Sequence, residues 1–257
     1  MIVMIDAGNT AIKAILLHDD AVSSIASIVY ASLDIGHKRD AGKRLVAACL
    51  KQGLPLDAIA FVSSLPQDQQ LALADSLDAQ LPQPMRRITK ADCLPHLKAW
   101  HYDTHDLGLD RMMNLVATHT LYPDETVVII NAGTALCVDL LHKGEHIGGW
   151  IQPGFRAWCS LLQEKAPHLP AVNPDEMNTP ETWPRSTKEA LAFGLHNPYM
   201  LGVIHAVHFA LNATPCTSPD KLILTGGDAE TIAAAFKCSS TFKDVRVIKM
   251  LAVYANV

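Results

Sequence analysis

Short apolar runs broken by small or turn-forming residues recur along the chain, and their spacing predicts strands alternating with helices. The chain opens as strand, turn, strand: Ile2 to Ile5 is apolar, Asp6 to Thr10 is turn-like, and Ile12 to Leu17 is apolar again. A third strand is predicted over Ser24 to Tyr30 and a helix over His37 to Leu50. A short buried strand follows over Ala58 to Val62, then a helix over Gln67 to Gln80 and a strand over Met85 to Ile88. A helical pattern from Arg111 to Leu121 leads through the turn Tyr122-Pro123-Asp124 into the β-branched run Thr126 to Ile130. After Asn131-Ala132-Gly133-Thr134 comes a second apolar run, Ala135 to Leu141, a turn at Lys143-Gly144, and the segment Gly148-Gly149-Trp150-Ile151. The Pro-rich stretch from Pro167 to Pro184 reads as irregular chain between helices. Two helices are predicted beyond it, Ser186 to Leu195 with Ser186 or Thr187 near its start, and Pro198 to Leu211. The strand Lys221 to Thr225 then runs into Gly226-Gly227.

One internal similarity stands out. Val3-Met4-Ile5-Asp6-Ala7-Gly8-Asn9-Thr10 resembles Ile129-Ile130-Asn131-Ala132-Gly133-Thr134. In both, a buried strand enters a small-residue turn ending in Thr, and a second apolar strand leaves it. The two copies begin the two halves of the chain, as a duplicated two-lobe fold would require.

These turns suit a phosphate tail. Glycine lets backbone N–H groups approach an anion closely. Thr10 and Thr134 add hydroxyls, Asp6 at the strand end suits Mg²⁺ directly or through water, and Lys13 offsets phosphate charge. No G-x-x-x-x-G-K-[ST] loop occurs, and the first turn feeds a strand instead of a helix. The alternative for this turn is an ordinary β-hairpin. A second cluster, Leu107-Gly108-Leu109-Asp110-Arg111, precedes a helical pattern. A carboxylate there can accept a substrate hydroxyl proton during phosphoryl transfer, and a helix N-terminus favours anions. The alternative is Asp110 as a plain N-cap with Arg111 solvated.

Composition narrows the class. The chain has 257 residues, 49% of them hydrophobic, which suffices for one large domain or two modest ones. Charged residues make up 18% and the net charge is -5, with no basic stripe for DNA or RNA. The six cysteines, at 49, 93, 137, 159, 216 and 238, form no CxxC pair and read as buried reduced thiols. The start Met1-Ile2-Val3-Met4-Ile5 lacks a basic leader, and no apolar run is long enough to span a membrane, so a cytoplasmic protein is expected. His142, His146, His205 and His208 show no ligand set with Cys or carboxylate at a metal-binding spacing, and read as surface or packing residues. Trp150 and Trp158 read as core or dimer packing, and Met112-Met113 as core.

Four blocks in order resemble the type III pantothenate kinases: Asp6-Ala7-Gly8-Asn9-Thr10-Ala11-Ile12-Lys13, Gly108-Leu109-Asp110-Arg111, Ala132-Gly133-Thr134-Ala135 with Asp139, and Gly148-Gly149-Trp150-Ile151-Gln152-Pro153-Gly154. Ser186-Thr187 ahead of Glu189-Ala190 and Gly194, and Thr225-Gly226-Gly227, extend the likeness over essentially the whole chain. The resemblance implies an α/β fold of the acetate and sugar kinase, Hsp70 and actin superfamily. It has two similar ribonuclease H-like lobes, here 1–120 and 121–257, each a mixed sheet flanked by helices, with ATP in the cleft between them. It implies a cytoplasmic homodimer that uses ATP and Mg²⁺ to phosphorylate pantothenate to 4′-phosphopantothenate, the first step of coenzyme A biosynthesis, with the substrate pocket near the subunit interface. By the resemblance, Asp6 to Lys13 and Thr134 bind phosphates, and Asp110 is the general base. Tyr102, Gly108, Leu109, Asp110, Arg111 and Thr187 bind pantothenate. Thr225 to Gly227 lie near the adenosine, and Gly148-Gly149 and Pro153-Gly154 shape the cleft and the subunit contact.

The chain departs from the family pattern twice. Asn131 stands where many members carry an Asp associated with a monovalent cation, K⁺ or NH₄⁺, which leaves that requirement open. The family's Tyr-x-x-Pro ahead of Gly-x-Asp-Arg is replaced by His101-Tyr102-Asp103-Thr104-His105-Asp106, from which Tyr102 is chosen as the pocket aromatic. Two alternatives stand beside this reading: a kinase of the same fold for another small hydroxylated substrate, and an ATP-binding regulator without catalysis.

Overall fold

The computed structural model describes residues 2–18, 21–30, 32, 34–52, 59–81, 85–176, 182–213, 221–237 and 244–248. Ala58, Cys216 and Cys238 lie outside them. The chain divides into two compact units. Among the described residues the first comprises 2–98 and 103–121, and the second 99–102 and 122–248.

The first unit carries β1 (Ile2–Ala7), β2 (Ala11–His18), β3 (Ala21–Val29), α1 (Ile35–Lys51), β4 (Ile59–Ser63), α2 (Gln67–Asp78), β5 (Arg86–Arg87) and α3 (Lys90–Cys93). The two-residue strand β6 (Ala99–Trp100) belongs to the second unit, and the chain then returns to the first for α4 (Leu109–Leu121). The sheet order is β3-β2-β1-β4-β5, with β1 antiparallel to β2 and parallel to β4. Strand alternation puts Val3, Ile5 and Ala7 on one face, where they form a core with Leu45 and Val46 of α1 and Leu73 and Leu77 of α2. The opposite face, with Met4, Ala60 and Val62, is also buried, and α4 packs against β4. Both faces being covered explains why these strands read as continuous apolar runs.

The second unit carries β7 (Thr126–Ala132), β8 (Ala135–His142), β9 (Glu145–Pro153), α5 (Phe155–Lys165), α6 (Thr187–Asn212), β10 (Lys221–Thr225), α7 (Ala229–Lys237) and β11 (Asp244–Val247). Its sheet runs β11-β10-β7-β8-β9-β6. The segment β9-β8-β7-β10-β11 repeats the order β3-β2-β1-β4-β5 of the first unit, with the same senses: β7 is antiparallel to β8 and parallel to β10. The sequence similarity between Asp6–Thr10 and Asn131–Thr134 is therefore the trace of a repeated topology. The expected fold class, two α/β units with mixed sheets flanked by helices, is met.

Two predicted helices prove to be one. Residues 187–212 form a single 26-residue helix with Pro198 inside it, not two helices. Ser186 caps its start, its Oγ accepting from the Glu189 N–H at 3.2 Å. Proline removes one backbone donor. The loss is outweighed because Leu195, Tyr199, Met200, Val203, Ala206 and Val207, on both sides of the proline, bury one continuous face in one core. Among the described residues no helix is long and apolar enough to cross a membrane.

Candidate active site

The first turn closes with the Gly8 N–H donating to the Ala11 carbonyl at 3.0 Å. Register places Asp6 directly across from Lys13, and Ala7 across from Ile12. The Ala7 carbonyl is gripped twice, by the Ser64 N–H at 3.2 Å and by the buried Ser63 Oγ at 3.1 Å. Behind the turn, the Tyr30 N–H donates to the Thr10 carbonyl at 3.0 Å. Asn9, Thr10 and Lys13 are exposed, whereas the side chains of Ala7 and Ile12 are fully buried in the core. Those two members of the expected phosphate segment can therefore offer only backbone groups. The sequence did not single out Tyr30 or Lys38 for this site. The Tyr30 ring is buried 5.6 Å from the Lys38 ammonium, and burial together with the charge of Asp6 raises its phenol above the ordinary range.

The second turn is the counterpart. The Gly133 N–H donates to the Ala135 carbonyl at 3.1 Å, and Asn131 faces Cys137. The Ala132 carbonyl accepts from the Asp228 N–H at 3.2 Å, as Ala7 accepts from Ser64. In each unit the alanine before the turn is thus held by an N–H just beyond the parallel neighbour strand. Two glycines close on this second turn. A Cβ at Gly154 would lie 2.0 Å from the Gly133 carbonyl oxygen, and one at Gly226 would lie 2.3 Å from that of Ala132. Gly226 also has φ +100, a conformation that favours glycine. Close backbone approach at both positions leaves Thr134 exposed at the tip, with Gly154 N–H donating to its carbonyl at 2.9 Å.

Asp110 stands in the first turn of α4, which begins at Leu109, so it is not the N-cap of the plain alternative. Arg111 is only 3% exposed, which removes the solvated-arginine alternative as well. The loop before this helix is tied down locally. Leu107 N–H donates to the Asp103 carbonyl at 3.1 Å, and Lys90 Nζ donates to the carbonyls of Thr104 and His105. The Asp110 carboxylate folds back over Gly108, with Oδ1 2.7 Å from where a Cβ there would sit. Leu109 is buried, so its side chain belongs to the core.

Electrostatics join Asp6 to Asp110. Burial pushes the Asp6 carboxyl up to about 6; Lys13 opposes the rise and the negative charge of Asp110 adds to it. With Asp6 buried and the charge of Asp110 acting on it, a dication at this carboxyl would relieve the cost of ionising it. The residues present therefore fit Mg²⁺ beside Asp6. Among the described residues, no group of three or more His, Cys, Asp or Glu is arranged to hold a metal.

The remaining expected residues are in the second unit. Tyr102 is half-buried just after β6 and stacks on His146, with ring centroids 5.9 Å apart and planes 29° apart. Thr187 is exposed as the first residue of α6. Asp228, which the sequence did not flag, follows Gly226-Gly227 and meets Arg156 at 3.3 Å. Burial raises its carboxyl and Arg156 lowers it.

A family model described as type III pantothenate kinase matches residues 2–208. The type III pantothenate kinase of Pseudoalteromonas translucida (strain TAC 125) is 28% identical over 255 residues, covering 98% of this chain and 94% of the relative. That of Chromobacterium violaceum is 28% identical over 258 residues, covering 100% of both. Among solved structures, a ROK family glucokinase from Streptomyces griseus in complex with glucose and AMPPNP superposes with a TM-score of 0.55 at 12% identity, covering 99% of this chain and 97% of that one. The match across 2–208 and the full-length likeness to these relatives agree with the order of the motifs: this chain belongs to the type III pantothenate kinase family.

Proposed function

We propose that this protein transfers the γ-phosphate of ATP to the primary hydroxyl of pantothenate, giving 4′-phosphopantothenate at the first step of coenzyme A biosynthesis. The observation that carries the reading is that the charge of Asp110, in the first turn of α4, adds to the burial that raises the Asp6 carboxyl at the first turn. The two carboxylates are thus within electrostatic reach of each other in one unit. Asp110 takes the proton of the substrate hydroxyl as its oxygen attacks the γ-phosphorus and the bond from that phosphorus to ADP breaks. Arg111, buried beside it, holds the substrate carboxylate or the transferring charge. In the first unit, backbone groups at the tip of the turn, with Thr10 and Lys13, bind phosphate, and in the second unit Thr134 is the phosphate-binding hydroxyl of the corresponding turn. Mg²⁺ beside Asp6 supplies charge neutralisation to those phosphates when bound. Gly108 and the backbone of Leu109 are the first unit's further contributions to pantothenate binding, and Tyr102 and Thr187 are the second unit's. Most of the rate then comes from positioning and electrostatics.

The same reading includes a monovalent cation, K⁺ or NH₄⁺, near the amide oxygen of Asn131, and cytoplasmic operation as a homodimer. Support for the homodimer is an apolar stripe on α6: Leu201 and Phe209, both 65% exposed, flank His205, whose ring meets Trp150 edge-on at 6.2 Å. The test is ADP release and product detection with ATP, Mg²⁺ and pantothenate, with and without K⁺ or NH₄⁺, beside Asp110→Asn. Turnover in the parent and a loss of about 10²- to 10⁴-fold in the variant are expected. No turnover under any cation condition overturns the kinase reading, and a fully active Asp110→Asn overturns the base.

A further inference from the structure

Tyr102 is held by a side chain that the proposed chemistry does not use. β6 pairs with β9 at Glu145 and His146, and the His101 N–H extends the ladder to the His146 carbonyl at 2.9 Å. Residues 100 and 102 both bring their rings to the His146 imidazole. Trp100 meets it edge-on at 5.9 Å and 72°, and Tyr102 stacks on it at 5.9 Å and 29°. That imidazole is wholly buried, and its Nε2 lies 2.9 Å from Oδ1 of buried Asp139 on β8. Nε2 carries the hydrogen that the carboxylate oxygen accepts. The other nitrogen, Nδ1, is buried with no hydrogen-bond partner.

As packing alone, this is a poor choice of residue. A phenylalanine would offer the same flat surface without the unpartnered Nδ1. What histidine adds is a bond to Asp139 that fixes the plane and rotation of the ring on which Tyr102 lies. Tyr102 needs such a platform, because it follows a strand of only two residues. An aromatic wall on so short a ladder would otherwise have to be ordered at the expense of binding.

We propose that His146, oriented by Asp139, is a positioning residue that fixes Tyr102 as a wall of the pantothenate site. The proposal rests on the reading of Tyr102 as the pocket aromatic. Asp139 and His146 act through Tyr102 and need not touch the substrate. They govern affinity for pantothenate and leave the handling of ATP unchanged.

The test is steady-state kinetics and calorimetric titration of pantothenate on the parent, Tyr102→Ala, His146→Leu, His146→Phe and the double variant Tyr102→Ala/His146→Leu. His146→Leu is expected to raise the KM and Kd for pantothenate about 3- to 10-fold, the range one aromatic pair commands. kcat and the KM for ATP stay within about twofold of the parent, the pattern of lost uniform binding. His146→Phe, which keeps the ring but not the bond to Asp139, gives a smaller rise. The double variant binds no more weakly than Tyr102→Ala alone, because both changes remove one interaction. Parent-like pantothenate KM in both His146 variants beside an impaired Tyr102→Ala, or an additive double variant, overturns the inference and leaves the pocket reading standing. An unchanged Tyr102→Ala overturns the pocket reading and the inference together. A parent that neither binds nor turns over pantothenate overturns the functional reading itself. A His146→Phe enzyme identical to the parent removes the part given to Asp139. Should His146→Leu fail to fold by circular dichroism, His146→Phe carries the comparison.

Discussion

A Cβ at position 226 would lie 2.3 Å from the carbonyl oxygen of Ala132 and 2.6 Å from its carbonyl carbon. Only glycine lets the segment after β10 lie this close to the end of β7. Gly226→Ala must therefore push the two backbones apart and hold an L-residue at φ +100. A loss of stability on the order of 2–4 kcal/mol is expected. The Asp228 N–H bond to Ala132 would go with it, loosening the second turn. Thermal unfolding should show a clear drop, and the KM for ATP should rise more than that for pantothenate. A variant as stable as the parent would mean that the approach of these backbones is not required.

Ionising Asp6 costs stability. Its folded pKa of about 6 lies above the usual carboxylate value of 3.8. Between these pH values the native state binds more protons than the unfolded chain, so stability falls as pH rises through the window. The loss is complete above pH 6 and absent below 3.8. Asp6→Asn removes it, and should exceed the parent in stability at pH 7 by on the order of 2–3 kcal/mol, with the gap closing toward pH 4. Turnover should fall by at least about 100-fold, since the phosphate side loses its carboxylate. Urea unfolding from pH 4 to 8 checks the first part. A gap independent of pH would rule out ionisation of this carboxyl as its source.

Arg111 is expected to resist conservative replacement. Its guanidinium is buried in the first turn of α4, one residue from Asp110. Lysine supplies a point charge without the planar fork, and desolvation weighs more heavily on a compact ammonium. Arg111→Lys should lower kcat/KM for pantothenate by about 100-fold while the KM for ATP changes by less than about threefold. Equal effects on both substrates would move Arg111 from the pantothenate site to a general structural role.

The two turns and the strands that flank them were legible because each depends on local pattern: a buried run, a small-residue turn, a second buried run. The repeated topology extends that pattern, with β3-β2-β1-β4-β5 matched by β9-β8-β7-β10-β11. What long-range packing decides was not legible. Pro198 marks a helix boundary by local rules, yet α6 passes through it because Leu195 and Tyr199 share one core. The alternative of a solvated Arg111 falls only when α4 is seen to be buried along Arg111 to Thr118. Asp139 and His146 lie seven positions apart across a hairpin, and only the β8–β9 register brings them to 2.9 Å. The partnership of Asp6 and Asp110 likewise needs α4 against the sheet, although each motif could be found alone.

The α6 stripe yields the prediction about assembly. Leu201, His205 and Phe209 recur every fourth residue and so share one face of the helix. His205 links the stripe to Trp150 on β9 at 6.2 Å and to Phe209 at 6.4 Å. A face of this kind, laid against its copy about a twofold axis, buries each leucine and phenylalanine twice over in one contact. Each such side chain is worth about 1.5–3 kcal/mol when taken from water. Leu201→Glu with Phe209→Glu removes that gain and brings glutamates toward their symmetry mates, so the dimer affinity should fall by more than about 1,000-fold. Sedimentation velocity across micromolar concentrations should then find dimers in the parent and monomers in the double variant, with the thermal unfolding of the subunit little changed because both positions are exposed. A parent that is monomeric throughout would end the homodimer reading. A double variant that still dimerises would keep the dimer but move its interface away from α6.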